Sequence, residues 1–348
     1  MPILKKSTQL LHMNPPTALT IVHHHDPRGV WATHNRDIMF LAPNASDWQK
    51  VAIFPLNLPL DFALGTRLTA RVSRADRCSV FPTSTGVLLG IRGCKAYAID
   101  KGQFTELFTI NGDTILIGGG AETANGWVYF GEYFMNPKRM PVRIWRLSND
   151  LSQYAVAYTF PVGTIRHVHK VYQDPYDEKR IWVTTGDFKN ECYLWYTDDG
   201  FQTLHNIGTG TQVWRAVSLL FTEDKLIWLT DTELEQNHIV SMDRRTHKIE
   251  FHGEVHSPTW YATQTSDGCY IATTTVEAAP GTTTDQAWVM FSEDAINWEK
   301  LKGFPKDRWP LQPFKFGVLS LPGGYYSSED FWLSGEALVD LDGKSVQC

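Results

Sequence analysis

The sequence predicts an all-β protein: a seven-bladed β-propeller with four-stranded antiparallel blades. An aspartate-centred motif recurs seven times along the 348 residues, at a nearly constant interval. An apolar strand pattern that ends in a polar residue also recurs seven times, upstream of each aspartate. The composition agrees, because 13 Trp, 13 Tyr and 18 Phe favour strands, whereas 26 Gly and 18 Pro supply turns. Supersecondary units of this length, repeated over a whole chain, are typical of propellers.

The aspartate motif indicates a turn. Its clearest copy is the octapeptide Thr197-Asp-Asp-Gly-Phe-Gln-Thr-Leu204, and shorter copies cover 148–154 and 292–298. Between the outer two strands of a blade, an Asp side chain can accept hydrogen bonds from backbone N–H groups, and Gly permits the tight turn. The motif therefore indicates a fold and not a reaction. The successive gaps of 53, 50, 49, 44, 51 and 48 residues separate Asp47, Asp100, Asp150, Asp199, Asp243, Asp294 and Asp342.

The spacing divides the chain into one domain, 1–348, with seven predicted blades. They cover roughly 17–56, 68–110, 113–160, 164–208, 213–254, 259–303 and 314–345. The predicted innermost strands are Thr17–His24, Leu68–Ser73, Asp113–Gly118, Thr164–Val171, Val213–Leu220, Thr259–Thr265 and Phe314–Ser320. Ring closure predicts that an N-terminal segment completes the last blade.

Composition and charge exclude several classes of function. The net charge is −6 and basic residues are scattered, whereas a nucleic-acid binder needs a basic face. No run approaches the roughly 20 apolar residues of a membrane span, and the N-terminus lacks a signal-peptide apolar core, so a cytoplasmic protein is expected. The five cysteines form no C-x-x-C pair, which predicts reduced thiols.

Polar residues follow the second strands at one phase of the repeat. These residues are Glu132, Asp187, Asp231, Glu277 and Glu336. Because a closed ring converts equal phase into equal height, they are predicted to meet on one face around the channel. Neighbouring segments add Tyr133, Arg166, His167, His169, Arg215, Tyr261, Arg308 and Lys315. Carboxylates, cations, His and Tyr together are typical of acid–base chemistry on a polar substrate, although they could also be solvated channel lining.

The segment Arg166-His-Val-His169 is the sharpest local pattern. Strand alternation predicts that His167 and His169 point to the same side, with Arg166 and Val168 on the other. Two such histidines can serve in catalysis, form a structural pair, or bind a divalent metal with a carboxylate as third ligand. No cofactor is otherwise predicted.

The aspartate turns resemble the Asp-box of sialidases and related propellers, Ser/Thr-x-Asp-Gly-x-x-Thr-Trp, with Leu204 at the aromatic position. This resemblance implies an arginine triad for the substrate carboxylate, a Tyr–Glu nucleophile pair and an Asp acid. The triad would be Arg166, Arg215 and Arg308. The nucleophile would be Tyr133 or Tyr261, its partner Glu132 or Glu277, and the acid Asp187 or Asp231. The chain departs from sialidases in having seven repeats and no Arg-Ile-Pro motif near its N-terminus.

The organisation of the seven repeats is also similar to that of seven-bladed polysaccharide lyases and rhamnosidase-like propellers. There, a base removes the C5 proton of a uronate while a cation neutralises its carboxylate. His167, His169, Tyr261 and Arg215 suit those roles. We therefore predict a carbohydrate-active enzyme that cleaves a glycosidic bond at an acidic sugar, by hydrolysis or elimination, with Lys315 and Glu336 among the substrate-binding residues. The alternative is a non-catalytic propeller that binds a glycan or a protein partner.

Overall fold

The computed structural model describes residues 11–277 and 280–348, in which 28 strands form seven blades around a central channel. From the channel outward, blade 1 contains β1 (Ile21–Asp26), β2 (Gly29–His34), β3 (Asp37–Leu41) and β4 (Gln49–Ile53). Blade 2 contains β5 (Ser79–Pro82), β6 (Leu88–Arg92), β7 (Lys95–Asp100) and β8 (Gln103–Thr109). Blade 3 contains β9 (Gly120–Glu122), β10 (Trp127–Gly131), β11 (Val142–Ser148) and β12 (Tyr154–Phe160).

Blades 4 to 6 repeat this antiparallel order. Blade 4 contains β13 (His167–Gln173), β14 (Ile181–Gly186), β15 (Cys192–Thr197) and β16 (His205–Gly210). Blade 5 contains β17 (Leu220–Phe221), β18 (Lys225–Leu229), β19 (Asn237–Asp243) and β20 (Ile249–Val255). Blade 6 contains β21 (Thr259–Gln264), β22 (Tyr270–Val276), β23 (Gln286–Ser292) and β24 (Glu299–Pro305).

Blade 7 closes the ring. It contains β25 (Gly317–Ser320), β27 (Trp332–Glu336) and β28 (Lys344–Gln347), while the short β26 (Gly323–Gly324) pairs in parallel with β1. Its fourth strand comes from the N-terminal segment, because Thr17 N–H donates to Ser345 O at 2.8 Å and Asn14 N–H donates to Gln347 O at 3.0 Å. Both ends of the chain therefore meet in one blade.

The core lies between blades. In the described ranges, seven apolar clusters occupy the seven interfaces between neighbouring blades. Between blades 4 and 5, for example, Trp182 and Trp228 are both fully buried. Burying a large apolar side chain contributes roughly 1.5–3 kcal/mol, so these interfaces hold the ring together.

Six of the seven repeated aspartates lie at the turns between the outer two strands of their blades. The prediction is wrong for Asp342, which lies between β27 and β28, the second and third strands of blade 7, and accepts a hydrogen bond from Ala337 N–H. Asp199 Oδ1 accepts hydrogen bonds from Thr203 N–H and the Thr197 hydroxyl, and Asp294 Oδ1 accepts from Ile296 N–H and Asn297 N–H. Such bonds satisfy turn N–H groups that have no partner in the strand ladder.

Helices replace two of the predicted strands. The segment Leu68–Ser73 was predicted as an innermost strand, and this is wrong, because α1 (Arg67–Ser73) covers it after a 3-10 turn at Leu60–Gly65. The Thr66 hydroxyl caps the helix by accepting from Thr69 N–H at 3.2 Å. Helical spacing brings Arg67 and Arg71 onto one carboxylate, Asp342, at 2.9 and 3.0 Å. In place of the predicted Val213–Leu220 strand there is a 3-10 turn (Gln212–Trp214), and the strand begins only at Leu220. A second short helix, α2, covers Leu311–Phe314.

The predicted strand Asp113–Gly118 is also wrong, since this segment crosses the channel as a loop. Gly112 and Gly118 have φ angles of 94° and 63°, which interrupt an extended strand. Ile117 packs with residues of blades 1, 6 and 7, and a Cβ added to Gly118 would lie 3.4 Å from the Cα of Gly323 in blade 7. We call 115–118 the plug, because it divides the channel into two cavities.

No helix in the described residues is long and apolar enough to cross a membrane.

Candidate functional site

The first cavity lies where the inner strands begin and has a volume of about 600 Å³. Because the second strands run antiparallel to the inner strands, their polar end residues arrive at the same mouth. Eleven of the 13 predicted site residues line this cavity: Tyr133, Arg166, His167, His169, Asp187, Arg215, Asp231, Tyr261, Glu277, Lys315 and Glu336.

The structure does not bring Glu132 or Arg308 into this lining. The Glu132 carboxylate is fully buried within blade 3, where it accepts hydrogen bonds from Asn111 N–H and Arg143 N–H and pairs with the Arg143 guanidinium. Arg308 lies over the Trp309 ring, 5.3 Å from its centre. The arginine triad implied by the sialidase resemblance is therefore incomplete, and Glu132 cannot be the partner of a tyrosine nucleophile in the cavity.

Asp187 connects four cationic or basic groups. Its Oδ2 lies 2.6 Å from Arg166 Nη1 and 3.4 Å from His167 Nε2, and its Oδ1 lies 3.1 Å from His169 Nε2 and 3.2 Å from Arg215 Nη2. Burial opposes ionisation, yet the charges of His167 and Arg215 hold the pKa of Asp187 well below its usual range. Its φ of 144° is strained for a non-glycine residue, by about 1–3 kcal/mol, as occurs at many functional sites.

Both histidines are held in one orientation by backbone carbonyls. His167 Nδ1 lies 3.0 Å from Phe134 O, and His169 Nδ1 lies 3.1 Å from Ala216 O. A carbonyl only accepts, so each Nδ1 carries a hydrogen and each Nε2 is directed at Asp187. A neutral Nε2 would then present a lone pair to a carboxylate. The contact is attractive only when a proton or another cation lies between them.

The predicted side-chain alternation is confirmed for the two histidines and wrong for Arg166. A bulge between Val168 and Lys170 leaves both imidazoles on the cavity wall. Arg166 precedes the first paired residue of β13, so alternation does not constrain it, and its guanidinium turns back to Asp187.

His167, His169 and Asp187 fit a divalent metal ion. Their ligand atoms all lie within 4.8 Å of one another. Two imidazole nitrogens with a carboxylate oxygen form a donor set that suits Mn²⁺, Fe²⁺ or Zn²⁺. Within the described residues, His167 Nε2 has Asp187 Oδ2, at 3.4 Å, as its contact and no well-formed hydrogen bond. The carbonyl contacts at both Nδ1 atoms are typical of metal-binding histidines.

Two further carboxyls in the cavity have raised pKa values, in contrast to the lowered pKa of Asp187. Burial raises the pKa of Glu277 to about 7, and burial raises the pKa of Asp231 well above its usual range. Glu277 accepts a hydrogen bond of 2.7 Å from the Thr275 hydroxyl, and Asp231 accepts one of 3.1 Å from Arg215 Nε. Carboxyls whose pKa values separate in this way can serve as acid and base in one site.

Two arginines that line the first cavity, Arg74 and Arg77, were not predicted as site residues from the sequence. Arg74 pairs with Asp113 at 2.6 Å, and Arg77 pairs with Glu336. Both arginines follow the predicted strand Leu68–Ser73 and the helix α1, with Arg74 as the left-handed C-cap and Arg77 in the loop before β5. Arg67 and Arg71, four residues apart, share a face of α1, and this spacing was the available sequence signal for the helix.

The comparisons with known proteins show the fold. A scan against family models and a search of curated proteins gave no match. Among solved structures, the GH74 enzyme of Niastella koreensis is 12% identical with a TM-score of 0.54, over 84% of this chain and 46% of that chain. This chain thus spans about half the length of that enzyme. An oligogalacturonate lyase in complex with manganese is 8% identical with a TM-score of 0.53, over 97% and 95%. YCF48 bound to D1 peptide is 12% identical with a TM-score of 0.54, over 98% and 95%. At these identities the likenesses establish one conclusion: the chain is a β-propeller.

Proposed function

We propose that this protein is a carbohydrate-active enzyme that cleaves a glycosidic bond at an acidic sugar, by elimination at a uronate. The observation that carries the proposal is the first cavity, where imidazoles, guanidiniums and carboxyls with separated pKa values share one wall. The residues assigned to elimination, His167, His169, Tyr261 and Arg215, all line it, whereas the set assigned to a sialidase lacks Arg308 and Glu132. The lyase and GH74 likenesses are compatible with this choice.

The reaction needs a cation, a base and an acid. Lys315 forms no ion pair in the described part of the chain, so its ammonium is available for the uronate carboxylate in the cavity that Arg166 also lines. In its neutral form, with the proton on Nδ1, His167 takes the C5 proton at Nε2, while Arg166 and Arg215 remain the counter-charges of Asp187. The C4–O bond breaks as the C4–C5 double bond forms, and Glu277 gives its proton to the leaving oxygen. Arg215 positions Asp231 and Asp187 on either side.

A metal ion would change this assignment. His167, His169 and Asp187 would hold a divalent cation, which would supply positive charge near the sugar carboxylate when bound. Such an ion occupies the Nε2 atoms, so His167 acts as the base only without it.

A second candidate is a non-catalytic propeller that binds an acidic glycan or a protein. It is favoured by the internal pairing of the cavity charges, since Arg166, Arg215 and Arg77 each contact a carboxylate of the same cavity. Fold alone does not decide between the two.

A panel of acidic glycans tests the proposal. Release of unsaturated uronates, followed by absorbance, reports elimination, and new reducing ends without that absorbance report hydrolysis. His167→Ala should lower turnover by at least about 100-fold, the usual effect of removing a positioned acid–base group. His205→Ala, on the outer strand β16, is the matched control and should keep parental turnover. Binding without either product would support the second candidate and overturn the first.

A further inference from the structure

A second cavity lies on the other side of the plug, where the inner strands end. It has a volume of about 270 Å³, and the described residues that it shares with the first cavity are 115–117 of the plug and Tyr261. Exposed residues at its rim, Pro175, Gln264 and Gly324, show that it opens to solvent. A small molecule can therefore enter it without passing through the first cavity.

Among the described residues of its lining, Lys170 is the one Lys or Arg, and it is buried, with 5% of its surface exposed. Its Nζ donates to the Ser218 hydroxyl at 3.2 Å and lies 4.8 Å from the centre of the Tyr261 ring. The Ser218 hydroxyl itself donates to Trp260 O, so its lone pair is free to face Lys170. An ammonium has three N–H donors, and one of them is satisfied here.

No acid balances this charge. The residues that line the second cavity include no Asp or Glu, in contrast to the carboxylate-rich first cavity. Within the described ranges, no carboxylate forms an ion pair with Lys170. A buried ammonium without a counter-ion is costly, and burial accordingly lowers the pKa of Lys170 to about 7. An anion beside Nζ would favour the charged form. The neighbouring polar groups are imidazoles, hydroxyls and an amide, from His23, His24, Ser79, Thr263 and Gln264.

We propose that the second cavity is a binding site for a small anion, the phosphate or carboxylate group of a small molecule, with Lys170 as its counter-ion. The anion accepts hydrogen bonds from the unsatisfied ammonium donors and balances the buried charge. The cavity volume restricts the ligand to a few heavy atoms beyond the anionic group. This site is independent of glycan cleavage in the first cavity.

Titration calorimetry and thermal unfolding with inorganic phosphate and with acetate, at constant ionic strength, test the proposal. The parent should bind at least one of the two anions, and its Tm should rise with the anion concentration. Lys170→Met should weaken this binding by about 10- to 100-fold, as expected for loss of a charged hydrogen-bond donor. Lys225→Met, at an exposed ion pair, should bind like the parent. Binding of phosphate and not acetate, or the reverse, would show which anionic group the site takes.

Because the first-cavity arginines also attract anions, a site-specific readout is needed. Labelling of each lysine with an amine-reactive reagent, measured by mass spectrometry on the parent, should show that the anion protects Lys170 and not Lys225. Arg74→Met should leave this protection intact. Unchanged labelling of Lys170 at saturating anion, or parental affinity in Lys170→Met, would overturn the proposal.

Discussion

His169 and Asp187 are joined by a 3.1 Å contact between Nε2 and Oδ1, while the Nδ1 of the same ring faces the carbonyl of Ala216. Because both ring nitrogens face acceptors, the contact needs a positive charge on the imidazole or beside it. Burial lowers the pKa of His169, and Asp187 opposes that effect. The protonation of His169 therefore decides whether its contact with Asp187 is attractive.

Replacing Asp187 with Asn should destabilise the protein by about 2–3 kcal/mol, because it removes the carboxylate between the half-buried Arg166 and the buried Arg215, although Arg215 keeps Asp231 as a partner. Denaturant unfolding measures the change. Asp198→Asn, which breaks the exposed pair with Arg180, is the control and should cost less than about 1 kcal/mol. Equal unfolding midpoints for the two variants would contradict the central role of Asp187.

The effect of Glu277→Gln on the free energy of unfolding should depend on pH. Burial raises the pKa of Glu277 from 4.5 to about 7 in the folded protein, so the folded state binds more protons between these values. The parent therefore loses stability as pH rises through this window, whereas the Gln variant does not. At pH 8 the variant should be more stable by roughly 3 kcal/mol, and at pH 4 the two should be equal. Glu293→Gln, at an exposed position, should show no such divergence.

Turnover should fall above about pH 7 if Glu277 donates a proton to the leaving oxygen, because the carboxyl is then ionised. The pH profile of kcat measures this. Glu277→Gln should lose turnover at every pH. If the Gln variant stays active and its kcat still falls above pH 7, another residue donates the proton to the leaving oxygen.

Added Mn²⁺ or Zn²⁺ should inhibit turnover, because an ion at His167, His169 and Asp187 occupies the Nε2 atom that takes the proton. Turnover and bound metal per chain are measured across a metal titration, and His167→Ala should bind less metal. Loss of activity with a chelator and its return with Mn²⁺ would show instead that the ion is a cofactor.

Asp294→Ala should lower Tm by about 2–4 °C without changing turnover. Partial burial opposes ionisation, but hydrogen bonds from Asn297 and Ile296 lower the pKa of Asp294 to about 2. Its contribution to stability is therefore present above about pH 4 and is lost as pH falls toward 2. Asp47→Ala is the control, since among the described residues the Asp47 carboxylate accepts a hydrogen bond from the Ser46 hydroxyl alone, and it should cost less. A large loss of turnover in Asp294→Ala would place this turn at the active site.

The repeat was sufficient to predict the propeller, since an aspartate lies at the turn between the outer two strands in six of the seven blades. It also predicted the height of the polar residues, which explains why Asp187, Asp231, Glu277 and Glu336 meet in one cavity. The repeat did not predict the direction in which each side chain points. Glu132 has the same phase in the repeat, but its carboxylate accepts hydrogen bonds from N–H groups beside its own blade.

The segments that enter the channel were the least predictable. α1 and the plug are insertions between blades, so the repeat carries no information about them. Their positions depend on contacts with distant residues, such as Arg71 with Asp307 and Gly118 with Gly323.

The plug makes each cavity a blind pocket. A molecule that enters the first cavity must leave through the same mouth, so a cleaved fragment and the next substrate cannot occupy the exit and the entrance at once. If the proposed cleavage takes place in this cavity, product should therefore compete with substrate for it. A polymer cannot be threaded through the ring, because the plug lies between the two cavities.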